Sequence, residues 1–171
     1  MIRRALLLFA VDCGRSIESI VPAPTRRAAV NRSQLQRLAT IRLADAEALI
    51  DKGRWAAAYY LTGYAVECGL KACLLKYLGE SGAIFGDQSY LRKLADCWTH
   101  DLSKLVNLAG LDAEFGAERG RNAALDAFWS TTKDWTEVSR YQERSEVEAK
   151  TLHEAVTNNP DGVFRWIQSR W

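Results

Sequence analysis

Several things are scarce in this 171-residue chain, and each scarcity excludes a class. Three prolines and eleven glycines are too few for a turn-rich sandwich or a collagen-like chain. No alternating strand pattern, internal repeat or low-complexity tract occurs. The four cysteines (Cys13, Cys68, Cys73, Cys97) include no CxxC and no His at ligand spacing, so no metal is expected. They read as plain reduced thiols, which suits a cytoplasmic location. No phosphate loop, GxSxG elbow, HExxH or other cofactor pattern is present. No apolar run is long enough to span a bilayer, and no membrane association is expected.

Net charge is also small, and its distribution is uneven. The net charge is +2. Residues 1–30 hold Arg3, Arg4, Arg15, Arg26 and Arg27 against Asp12 and Glu18, which is +3 and leaves −1 for the rest. A broad basic footprint for nucleic acid is therefore not indicated for the body of the chain. The first 30 residues read as an extension and linker that packs poorly against residues 31–171. The run Ala5 to Val11 imitates a signal peptide, but Asp12 stops it at the short limit and Cys13-Gly14-Arg15 is a poor cleavage site. Val30, just before Asn31-Arg32-Ser33, is a candidate true start.

What is present is helical periodicity, and the fold class is all-α. Ser33 with Gln36 reads as a capping box. Leu35, Leu38, Ala39, Leu43, Ala46, Leu49 and Ile50 carry a first helix that Gly53 ends. The second helix, about 54–78, has a seam at Leu61, Ala65, Cys68, Ala72 and Leu75. Tyr60, Tyr64, Glu67, Lys71 and Leu74 lie beside it, so this helix is expected to be the most buried. A loop over 80–88 and a short helix over 89–97 follow. Thr99 reads as a cap with Asp101 in the first turn, and Gly110 follows that helix's end. Further helices fall at 112–119 and 121–134, with an irregular 135–143. Ser145 with Glu148 starts another helix. Asn159-Pro160 reads as an N-cap and first helical position for the last one.

The block Arg54-Trp55-Ala56-Ala57-Ala58-Tyr59-Tyr60-Leu61-Thr62-Gly63-Tyr64-Ala65-Val66-Glu67-Cys68-Gly69-Leu70-Lys71-Ala72 resembles the second helix of HEPN domain proteins (higher eukaryotes and prokaryotes nucleotide-binding). Thr99 to Leu105, Trp135 to Tyr141 and Gly162 to Ile167 fit in the same order. The resemblance implies an antiparallel up-and-down bundle of four to five helices, often a homodimer. It also implies a family of ribonuclease toxins, partners of small nucleotidyltransferases, and non-catalytic members. HEPN ribonucleases place Arg, four to six residues, then His on one helix. Here Arg92 precedes His100 by seven intervening residues and Arg144 precedes His153 by eight, so neither gap fits.

The expected function is therefore a non-catalytic binding module, acting with a nucleotidyltransferase-type partner as in a toxin–antitoxin pair or binding a nucleotide-like ligand. The alternative is a metal-independent ribonuclease acting on RNA, with His100 as base and Arg140 on the phosphate. Glu67, Lys71, Asp101, Tyr141 and Tyr64 are the candidate ligand-binding residues. Each also has a plainer reading. Glu67 and Lys71 make an i, i+4 ion pair, Asp101 is a helix-start residue, and Arg140-Tyr141 pins an irregular segment. Any polar site should bring Glu67, Lys71, His100, Arg140 and Tyr141 into one cleft. His153 has no assigned role.

Overall fold

In the computed structural model, residues 30–80 and 96–171 are described. The expectations for residues 1–29, for the loop over 80–88 beyond Glu80 (which ends the second helix) and for most of the 89–97 helix lie outside them. The described residues form α1 (Arg32–Asp51), α2 (Trp55–Glu80), α3 (Leu102–Leu108), α4 (Asp112–Arg121), α5 (Ala123–Thr132), a 3-10 turn (Glu137–Tyr141), α6 (Glu146–Thr157) and α7 (Val163–Gln168), with no strand among them. The result is a helical bundle of two long helices and five shorter ones. None of the described helices is long and apolar enough to cross a membrane.

The α1–α2 hairpin turns on Gly53. Its φ of 64° lets Gly53 N–H donate to Ile50 O and Arg54 N–H donate to Leu49 O, which closes the last carbonyls of α1. The N-cap of α1 is Asn31, not Ser33. Asn31 Oδ1 accepts from Gln34 N–H, Gln34 Oε1 accepts from Asn31 N–H, and Ser33 Oγ donates to Asn31 Oδ1. Thr99 is likewise not the cap of α3. Asp101 is, accepting from Lys104 N–H, while Thr99 Oγ1 accepts from Asp101 N–H. The Ser145–Glu148 box is formed as expected. Asn159 does not cap the last helix: its bond to Pro160 is cis, and Gly162 occupies the N-cap position.

Helix α2 is the centre of the bundle and packs against α1, α3, the 3-10 turn, α6 and α7. Ala65, Val66, Cys68, Leu70, Ala72, Cys73 and Leu74 are all buried, so the helix is covered nearly all round. The expected seam fails at Leu75, which is 37% exposed. Trp129, Trp135 and Trp166 are core residues, whereas Trp98 is 85% exposed. Phe115 joins Trp129 edge-on and Trp166 at a tilt, fastening α4, α5 and α7 together.

One contact fixes the segment between α5 and α6. The Trp135 indole lies directly on the α2 backbone at Gly63, where a Cβ would sit 2.2 Å from Trp135 Cγ. Tyr60, one turn earlier, closes the side of the ring at 5.9 Å between centroids. Only glycine lets the ring approach so closely. The segment expected to be irregular is thus held by a buried Trp135 and by a buried Ser139 inside the 3-10 turn that precedes α6.

Candidate functional site

The register of α2 places Gly63, Glu67 and Lys71 four residues apart on one face. Glu67 has its side chain only 3% exposed. A buried carboxylate needs compensating donors, and two arrive at the same oxygen. Lys71 Nζ donates to Glu67 Oε1 at 2.7 Å from the next turn of α2. His100 Nδ1 lies 3.0 Å from that oxygen, reaching across from the residue before the α3 N-cap. Glu67 Oε2 is buried without a hydrogen-bond partner among the described residues.

This geometry fixes the hydrogen-bonding sense of the imidazole. A carboxylate only accepts, so Nδ1 is the donor, and in the neutral ring Nε2 is left as an acceptor. The His100 side chain is 44% exposed and lines an open cleft of about 580 Å³. The other lining residues come from two places: Thr99, Asp101 and Ser103 at the start of α3, and residues 133–137 across from them. The Trp135–Gly63 contact therefore positions one wall and the Asp101 cap positions the other. Trp135 Nε1 is buried with no hydrogen-bond partner among the described residues. Lys133 Nζ rests on Asp134 Oδ1 at 3.1 Å.

The sequence candidates separate into three groups. Glu67, Lys71 and His100 come together in direct contact. Asp101 lines the same cleft but spends one carboxylate oxygen on the cap of α3. Arg140 and Tyr141 are both exposed and are not among the cleft-lining residues. The Arg140 guanidinium stacks on the Tyr141 ring at 4.9 Å instead. The burial that pins this segment belongs to Trp135 and Ser139, not to Arg140-Tyr141. Tyr64 stacks on Tyr60, and desolvation, with Cys68 beside it, pushes its phenol up to about 12. It is a protonated part of the α2 packing, not of the cleft lining. Burial also pushes the Cys68 and Cys73 thiols up to about 11.

His153 is half-buried on α6, within 3.5 Å of Thr157 Oγ1, and desolvation lowers its pKa against the opposing pull of Glu47 and Glu154. Among the described residues no group of three or more His, Cys, Asp or Glu is placed to hold a metal ion. Sequence reasoning missed Ser103, Lys133, Asp134, Thr136 and Glu137 as cleft residues. Its available signal was Gly63, a glycine inside a helix one turn before a buried acid. No family profile, curated protein or solved structure matches the chain.

Proposed function

We propose that the chain is a HEPN-like helical binding module without catalytic activity. It acts with a nucleotidyltransferase-type partner, as in a toxin–antitoxin pair, or binds a nucleotide-like ligand at the His100 cleft. The observation that carries this reading is the convergence of Lys71 and His100 on one oxygen of buried Glu67. That convergence ties α2 to α3 and makes Lys71 and His100 part of one buried-carboxylate network beside a preformed polar cleft. Arg140, the cation that a ribonuclease mechanism would draw on, is engaged with Tyr141 outside the cleft lining. A homodimer belongs to the same reading, supported by exposed Val138, Tyr141 and Val147 around the 3-10 turn and α6.

The ribonuclease reading keeps one specific support. A His oriented by a buried carboxylate, with its second nitrogen open, is the arrangement of a general base. Incubating RNA with the full chain in a chelator separates the two. Intact RNA, together with stable co-purification of a co-expressed nucleotidyltransferase-type protein or saturable nucleotide binding, is the expected result. Cleavage that disappears in His100→Ala overturns it.

A further inference from the structure

We infer that the His100 cleft takes the uncharged, hydroxyl-bearing part of its ligand, a sugar ring, and not a phosphate. This rests on the reading of the cleft as a ligand site and names the chemistry it selects. The carboxylates of Asp101, Asp134 and Glu137 line the cleft against the single ammonium of Lys133. That ammonium is already paired with Asp134. Three carboxylates against one ammonium leave the lining net negative in either protonation state of His100, and a phosphate entering it is repelled.

Hydrogen-bonding groups suited to hydroxyls remain. His100 Nδ1 is committed to Glu67, so in the neutral ring Nε2 accepts a ligand O–H. Ser103 and Thr136 each offer a hydroxyl that both donates and accepts. A sugar ring presents several hydroxyls of both senses at once. A phosphate offers acceptors alone, and it would meet three carboxylates that only accept.

Calorimetric titration of the full chain with adenosine, AMP and ATP tests this. Adenosine is expected to bind most tightly, AMP about tenfold more weakly at low salt, and ATP more weakly still. His100→Phe should weaken adenosine binding at least about tenfold, the loss of one buried-type hydrogen bond to an unpaired group. His100→Gln, which keeps an acceptor, should lose less. Ser103→Ala, at an exposed position, is the second variant should His100→Phe fail to fold. Affinity that rises with phosphate number overturns the inference while leaving a nucleotide-binding cleft standing. Absence of binding by all three overturns both the inference and the small-ligand form of the proposed function. An unchanged adenosine affinity in folded His100→Phe or Ser103→Ala also overturns the inference.

Discussion

Adding one methyl group at Gly63 is expected to loosen the wall of the cleft. Elsewhere in a helix, Gly→Ala stabilises by about 1 kcal/mol through backbone entropy and propensity. At Gly63 the new Cβ would lie 2.2, 2.3 and 2.4 Å from Cγ, Cδ1 and Cδ2 of Trp135. Ordinary carbon contacts are about 3.5–4.0 Å, so the indole must retreat by more than an ångström. Trp135 is 1% exposed and is backed by Tyr60, so no flexible side-chain end can give way. Overpacking of this kind costs about 1–3 kcal/mol, at the upper end here because an aromatic ring and helix backbone are both rigid. The net expectation for Gly63→Ala is therefore a loss of about 1–2 kcal/mol. Gly116 and Gly120 in α4 supply the control, since a Cβ at either meets nothing within 4 Å. Gly116→Ala should stabilise by about 0.5–1 kcal/mol. Urea denaturation followed by far-ultraviolet circular dichroism gives both values from shifts in midpoint at constant slope. A Gly63→Ala protein as stable as Gly116→Ala would refute the packing argument. Partial rescue by Trp135→Leu in the Gly63→Ala background would confirm its origin.

Other consequences follow from the same contacts. Glu67→Ala should cost about 2–4 kcal/mol, because it removes the buried acceptor shared by Lys71 and His100 and leaves a cavity between α2 and α3; Glu67→Gln should cost less. The Glu148 carboxyl, held by Ser145 N–H, Ser145 Oγ and Arg144, should titrate near 2, and Ser145→Ala should raise that midpoint in a carboxyl-selective NMR titration. Its folded value is lowered from 4.5, so its stabilising contribution is present above that pH and is lost as pH falls towards 2. Burial lowers the His153 pKa, so the unfolded ring takes up its proton first as pH falls through about 6.5, and stability declines there; His153→Gln should flatten that part of a stability–pH profile. In a Cys13→Ser background, Cys68 and Cys73 should alkylate far more slowly than partly exposed Cys97 at neutral pH, because burial holds both thiols protonated.

The helical class and the central place of α2 were legible because they depend on periodicity within one segment. Ser145 and Glu148 were equally legible, since a capping box is closed over three residues. Caps with two nearby contenders were not. Asn31 competes with Ser33, and Asp101 competes with Thr99, and the winner is decided by which side chain meets the N–H at the third helical position. Asn159-Pro160 carries the signature of a helix start, but the N-cap falls three residues after Asn159, at Gly162. Part of the candidate cleft was legible. Glu67 and Lys71 share a face by helical spacing, and His100 reads as a polar residue at a helix start. Its bond to Glu67 spans 33 residues of sequence, which no spacing rule encodes. The opposite wall depends on an indole packed against a glycine from 72 residues earlier, so the roles of residues 133–137 emerge only in three dimensions.

The chain has two histidines, His100 and His153, and this makes the decisive measurement simple. Ring-nitrogen NMR of the histidine-labelled full chain, titrated with adenosine, reports directly on the proposed cleft. The account predicts that the His100 Nε2 resonance moves saturably with adenosine while His153 stays still. A His100 resonance that does not move at saturating ligand, or a response confined to His153, would contradict it.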